Sequence, residues 1–190
     1  IRDHEWQIWL DSCAPLTAQG RFDIIVADPI ATVVTRGSIT EVTRGDEVAH
    51  SLDNPLALLR PFLNANTNSL PNITFAGGAV GYFGYDLARR FERLPTIASD
   101  VEGVPDMAIG IYDWALVVDH HAKTSRLVSH GASSMTTKRW EELAWLFTGD
   151  ADSRWTIPFH VLSDVEPNVH LADYAERFAR LKRYITAGDC

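Results

Sequence analysis

Apolar positions in this chain fall mostly in short runs of alternating or β-branched residues, and helical spacing is confined to a few stretches. The first ten residues carry Trp6, Ile8, Trp9 and Leu10, which predicts a strand entering a loop at Asp11-Ser12. Residues 21–27 form a clear strand around Phe22, Ile24, Ile25 and Val26, closed by the Asp28-Pro29 turn. Two β-branched runs over 30–35 and 38–43 meet at Arg36-Gly37 and predict a hairpin. Residues 107–120 are nearly all apolar, which predicts a strand buried on both faces or crossing between layers. His121-Ala122-Lys123-Thr124 turns it into a further strand over 126–130. Residues 157–162 read as a strand or an extended connector.

Helical periodicity is rarer. Asp53-Asn54-Pro55 supplies a capping residue before a first-turn proline, with Leu56, Leu59 and Phe62 on one face. Pro61 lies inside that pattern, so this helix is short or kinked. A second helix is predicted over 136–147, with Trp140, Leu143, Ala144 and Phe147 aligned. The best-defined helix steps through Tyr174, Phe178, Leu181 and Ile185, sets Arg177, Arg180, Lys182 and Arg183 largely off that row, and stops at Gly188. The polar stretches 64–72 and 149–154 read as loops.

Between them lies a stretch with a different character. Gly77, Gly78, Gly81 and Gly84 fall within eight residues, interleaved with Tyr82, Phe83 and Tyr85. The first half reads as a buried strand whose glycines let another backbone or a large ring approach closely. The second half, from Asp86 through Arg89 and Arg90, reads as a short basic helix closed by Leu94-Pro95. A dinucleotide loop needs Gly-x-Gly-x-x-Gly, and here bulky rings fill the gaps, so a tightly packed strand-to-helix corner is the better reading. The order of elements is strands, helix, strands, helix, helix. That is α+β with antiparallel sheets packed as a sandwich and helices outside, the ribbons 22–43 and 109–130 belonging to two packed sheets.

Composition narrows the function. The 190 residues are 46% hydrophobic and 22% charged, ordinary for a globular chain. A net charge of -8 argues against nucleic acid and anionic membrane surfaces as partners. Two distant cysteines, Cys13 and Cys190, fit a reducing cytoplasm better than a disulfide framework. No apolar run reaches transmembrane length. The start at Ile1 and the stop at Gly188-Asp189-Cys190, directly after a strong helix, predict a fragment of a longer protein.

No self-sufficient active site is legible. None of His4, His50, His120, His121, His130, His160 and His170 falls in a nucleophile motif or a metal-ligand spacing. His120 and His121 sit at a predicted hairpin turn, where exposure is expected. Asp106 and Asp113 are seven apart on a strand and so face opposite ways.

The stretch Gly77-Gly-Ala-Val-Gly-Tyr-Phe-Gly-Tyr-Asp-Leu-Ala-Arg-Arg-Phe-Glu-Arg-Leu-Pro95 resembles the signature of the aminodeoxychorismate synthase component I family, relatives of anthranilate synthase component I. Arg21-Phe-Asp-Ile-Ile-Val-Ala-Asp-Pro29 is similar to that family's early strand. Pro105-Asp-Met-Ala-Ile-Gly-Ile-Tyr-Asp-Trp-Ala-Leu-Val-Val-Asp-His120 is similar to its long central strand. The segment from Tyr174 to the end resembles the helix leading into its chorismate-binding domain.

The resemblance implies an N-terminal domain over 1–165 and the start of the chorismate-binding domain over 166–190. It implies that the parent converts chorismate and ammonia to 4-amino-4-deoxychorismate on the para-aminobenzoate and folate pathway. The catalytic residues and the Mg²⁺ site then lie in the C-terminal domain, so this chain carries no catalytic residue of its own. Ammonia comes from a separate glutamine amidotransferase subunit. Alternatives within the same resemblance are an anthranilate synthase domain and a tryptophan-binding regulatory module. Family members hold tryptophan between the sheets, and the matching positions here are Leu10, Ser12, Gln19, Gly20, Arg21 and Phe22. In that reading a hydroxyl and strand-edge amides serve the amino acid's polar end while Phe22 packs the indole. Relatives that hold tryptophan tend to have Tyr-Ser at Gln19-Gly20, and the acidic neighbour here is Asp11 rather than Glu. A chain missing its partner domain is also expected to expose apolar surface.

Overall fold

The computed structural model describes residues 4–14, 20–63, 73–97, 99–131, 133–148 and 160–189. The chain divides into two units, Ile1–Gly149 and Asp150–Cys190.

The first unit holds nine strands among its described residues, all paired antiparallel. A four-stranded sheet runs in the order β1 (Ile8–Leu10), β2 (Phe22–Val26), β8 (Trp114–Asp119), β9 (Thr124–Ser129). A five-stranded sheet runs β5 (Glu47–Ser51), β4 (Ile39–Arg44), β3 (Ala31–Arg36), β7 (Met107–Tyr112), β6 (Gly78–Phe83). Antiparallel sheets with outer helices agree with the α+β reading. The ribbons, however, do not each keep to one sheet. β2 and β3 are one continuous stretch that leaves the first sheet and enters the second across residues 27–30. β7 and β8 do the same in reverse across Asp113 alone. The long apolar strand of the sequence is thus a crossing between layers, as its unbroken hydrophobicity allows.

Carboxylates hold both bends. Asp113 is only 2% exposed, and its Oδ2 accepts from Ser133 N at 2.9 Å. Asp28 adopts φ 49° and takes Glu5 N on Oδ1 at 3.0 Å, while its Oδ2 meets His4 Nδ1 and the Arg139 guanidinium, the latter at 3.3 Å. Short polar side chains tolerate the left-handed region better than other residues, which suits Asp at such a corner.

Side chains between and around the sheets form three apolar clusters. Val26, Val80, Tyr112, Ala115, Val117 and Val128 are buried together, with Phe22, Ile24 and Phe75 against them. Tyr112 hydrogen-bonds Trp6 O at 2.8 Å, and burial pushes its phenol up to about 12. Its ring lies over Gly110, where a Cβ would come within 2.6 Å of the phenol oxygen. The outer face of the five-stranded sheet, with Val33, Met107 and Ile109, is covered by Leu59 of α1 (Pro55–Leu63) and by Leu87. Asn54 Oδ1 accepts from Leu56 N at 2.9 Å, so Asn54 caps α1. Ala27, Trp114 and Leu143 make the third cluster, and Phe147 meets the Trp114 ring at 6.1 Å between centroids.

Several expectations need correction. β1 is confined to Ile8–Leu10, because Trp6 takes φ 50° in a turn. β5 was not foreseen, although Gly45-Asp46 is a two-residue hairpin signal of the same kind as Gly37-Ser38. Leu56 is exposed, since α1 buries only Pro55 and Leu59. The helix foreseen from Asp86 is a 3₁₀ turn over Tyr85–Arg90, too short to nucleate an α-helix, with Leu87 N bonded to Gly84 O at 3.2 Å. The helix foreseen over 136–147 is two pieces, α2 (Ser134–Lys138) and α3 (Trp140–Thr148). Arg139 breaks it where its side chain reaches Asp28, after the weak helix formers Thr136 and Thr137. The expected loops over 64–72 and 149–154 and the first half of the extended segment over 157–162 lie outside the described residues.

β6 is not a buried strand. It pairs with β7 alone among the described residues, and Gly81, Tyr82 and Phe83 are exposed. Its glycines do serve close backbone approach. A Cβ on Gly81 would sit 2.0 Å from Ala108 O, and one on Gly77 would sit 2.7 Å from Tyr112 O.

The basic pair that follows is a structural clamp. Arg90 donates through Nη1 to Gly37 O and Ser38 O and through Nη2 to Leu52 O and Asp53 O, the last two at 2.9 and 2.8 Å. Arg89 donates to Pro95 O at 2.7 Å and to Asp86 Oδ1 at 3.0 Å.

In the second unit α4 spans Leu171–Ala187 and ends on Gly188 at φ 79°, with Asp189 N bonded to Tyr184 O at 3.0 Å. Tyr174 stacks on Phe178 at 6.2 Å, and Tyr174, Phe178, Leu181 and Ile185 are all exposed.

Gly81→Ala is expected to cost about 2–4 kcal/mol, because its methyl group would push β6 off β7. Gly37→Ala, with φ 55° but open space around it, should cost only about 1 kcal/mol. Urea unfolding of the two variants checks the difference. Arg90→Lys should lose about 2 kcal/mol, since a single ammonium cannot span two loops; thermal melts read it.

Candidate functional site

The residues singled out by resemblance gather at one end of the four-stranded sheet. Leu10 ends β1 and pairs with Ile24, which puts it on the same face as Phe22, two positions earlier on β2. Phe22 and Ile24 pack against the cluster of Val26, Val117 and Tyr112. Leu10, at 48% exposure, and the half-buried Phe22 therefore form the open apolar end of an otherwise filled face.

Asp23 leaves β2 on the opposite side and is 7% exposed. Its Oδ1 accepts both the Ser12 amide at 2.9 Å and the Ser12 hydroxyl at 2.8 Å. Its Oδ2 lies 3.0 Å from His120 Nε2. The two bonds from Ser12, the amide's above all, hold the Asp23 carboxyl down to about 2 against the opposing effect of burial, with His120 adding to them.

Gly20 is buried and precedes β2. The Arg21 guanidinium pairs with Asp119 through Nη2 at 2.9 Å and lies over the Phe22 ring at 4.6 Å. That guanidinium and the amides of Ala122 and His121 bring Asp119 down to about 2. Backbone joins the same region, His120 N donating to Arg21 O at 2.9 Å. Asp11 caps its own loop, its Oδ1 accepting from Cys13 N at 2.7 Å where Cys13 takes φ 57°.

Leu10, Ser12, Gly20, Arg21 and Phe22 are thus brought to one strand end, and Gln19 lies outside the described residues. The polar groups there are already engaged: Ser12 with Asp23, Cys13 N with Asp11, Arg21 with Asp119. Asp23 is the member that motif reading passed over. Its signal was a lone acidic residue inside an apolar strand, which is costly unless it has partners. His120 is half-buried rather than exposed at its turn, because Asp23 draws it in.

Chemistry elsewhere is structural. Asp106 Oδ2 accepts from Gly37 N at 2.7 Å, and Asp113 holds the sheet crossing. Among the described residues no three His, Cys, Asp or Glu side chains converge to hold a metal ion. No described helix is long and apolar enough to cross a membrane.

Comparison with known proteins gives the family and the fold. A family model described as chorismate binding enzyme matches residues 6–190. Aminodeoxychorismate synthase component 1 of Klebsiella aerogenes is 41% identical over 100% of this chain and 41% of its own length. The protein of the same name from Escherichia coli (strain K12) is 40% identical over 97% of this chain and 40% of its own. The chain therefore spans about two fifths of the length of these relatives. Anthranilate synthase component I from Streptococcus pneumoniae TIGR4 shares the fold, with a TM-score of 0.68 at 20% identity, over 91% of this chain and 40% of the other.

Acid should unfasten this end of the sheet. Asp23 and Asp119 both titrate near 2 when folded, below the ordinary carboxylate value near 3.8. Their contribution is complete above about pH 4 and is lost as pH falls from 4 towards 2. Stability measured by denaturant between pH 5 and 2 should fall less steeply for Asp23→Asn than for the native chain.

Proposed function

We propose, from the chorismate-binding enzyme family to which this chain belongs, that it is the N-terminal part of an aminodeoxychorismate synthase component 1. The full-length protein would convert chorismate and ammonia to 4-amino-4-deoxychorismate for para-aminobenzoate and folate synthesis. The observation that carries this is identity near 40% along essentially the whole chain to relatives of that name. Anthranilate synthase, the alternative reading, is favoured by more distant relatives, one 29% identical over 89% of this chain and one 32% identical over 63% of it.

The described carboxylates support a supporting role for this part. Asp23, Asp28, Asp106, Asp113 and Asp119 are all tied to backbone amides or cations of their own fold. Catalysis, with Mg²⁺, would belong to the remainder of the parent, and a glutamine amidotransferase subunit would supply ammonia in the cytoplasm. This chain alone would be inactive. The strand end around Leu10, Ser12 and Phe22 would form half of a tryptophan pocket, the other half coming from that remainder.

Full-length parent supplied with chorismate, ammonium and Mg²⁺ should release 4-amino-4-deoxychorismate with pyruvate retained, and residues 1–190 alone should give no turnover. Release of fluorescent anthranilate by the parent would overturn the assignment.

A further inference from the structure

Among the described residues the two sheets end on four edge strands, β1 and β9 in one and β5 and β6 in the other. Three of these are guarded. β1 is only three residues long. β5 carries Glu47 and His50, and β9 follows Lys123 and carries Arg126. Shortness and charge are ordinary means by which an open strand avoids pairing with another chain. β6 has neither. It runs Gly-Ala-Val-Gly-Tyr-Phe, six residues without a charge or a proline. Among the described residues it is bonded to β7 on one side and to no strand on the other.

The far end of β6 is also open on both of its faces. Val80 is buried in the cluster around Tyr112, and Ala79 packs on the cluster around Met107. Alternation puts Tyr82 on the face of Val80 and Phe83 on the face of Ala79, yet both rings are exposed. An occupant lying on one face alone would leave the other ring in water. One that continues the sheet past β6 lies beside both. A second copy fits poorly, because full two-fold pairing of β6 with itself would oppose Tyr82 to Ala79 and Phe83 to Gly78, and side chains that small cover neither ring.

We propose that β6 receives a further β-strand at its free edge, supplied by the remainder of the full-length protein, so that the five-stranded sheet continues into the part of the parent that this chain does not cover. This rests on the reading of the chain as part of a longer protein. The chain spans about two fifths of its relatives near 40% identity, so most of the parent's length is available to supply the strand. Main-chain bonds give such an addition its hold, and alternate side chains give it its fit. The added strand carries apolar residues where it passes Tyr82 and Phe83.

Hydrogen–deuterium exchange on the full-length parent tests it, with β5 as internal reference because it is the other edge of the same sheet. On a free edge strand alternate amides point to solvent. Every amide over 79–83 should exchange at least about a hundredfold more slowly than the outward amides over 47–51. Amides in 79–83 exchanging as fast as those of β5 would overturn the proposal, and that arm needs no variant to fold. Phe83 and Val48 then make a matched pair, 56% and 55% exposed on the two edges. Phe83→Lys should speed exchange over 79–83 by about tenfold or more in the parent, whereas Val48→Lys should change exchange over 47–51 by less than about twofold. Equally small effects at the two positions would overturn the proposal. Protection over 79–83 that fades on dilution, as a dimer of the parent separates, would give the edge to a second copy and overturn it too. Release of anthranilate by the parent sinks the proposed function and leaves this test standing. A bare β6 in a parent that makes 4-amino-4-deoxychorismate sinks only the inference.

Discussion

Everything in the first unit depends on two strands changing sheet without breaking. A strand that bends out of one layer leaves backbone groups unpaired at the bend, and burying them unpaired is costly. At the first bend the amides of Asp28 and Ile30 donate to Glu5 O at 2.8 Å and Ile111 O at 2.7 Å, and carboxylates at both bends tie in the neighbouring segments. Asp113 takes the amide that starts the α2 region, and Asp28 gathers an amide, an imidazole and a guanidinium. These contacts also fix where the helical layer sits, because Ser133 and Arg139 flank α2 and are the donors. A corner, a helix cap and a helix break are thus one arrangement seen from three sides.

The glycine stretch, the most distinctive in the chain, plays a related part. It brings the backbone of β6 against β7 more closely than any side chain would permit, and then hands over to Arg89 and Arg90. Both cations are consumed by carbonyl oxygens of neighbouring loops. A guanidinium presents several donors in a rigid fork, which suits it to tie loops together.

Local pattern carried most of the fold. β2, β3, β4, β9, the crossing strand and α4 were readable from alternation, β-branched runs and a stop at Gly188, because those signals are local. What escaped was decided at a distance. The helix break at Arg139 answers to Asp28, more than a hundred residues earlier. The exposure of β6 depends on which strands lie beside it. The missed β5 is different, since Gly45-Asp46 carried a local signal that went unused. At the strand end, resemblance located Leu10, Ser12 and Phe22, but the partner that governs Ser12 is Asp23, and only the pairing of β1 with β2 brings them together. His120 joins them through the pairing of β2 with β8.

The Arg90 clamp has a bearing on how the molecule comes apart. Its partners are four main-chain carbonyls, none of which changes protonation, whereas the far end of the fold is fastened by the carboxylates of Asp23 and Asp119. Acid therefore attacks the molecule asymmetrically. The short sheet loosens first, starting from its outermost strand, while the hairpins of the wider sheet stay tethered to a cation that protons cannot displace.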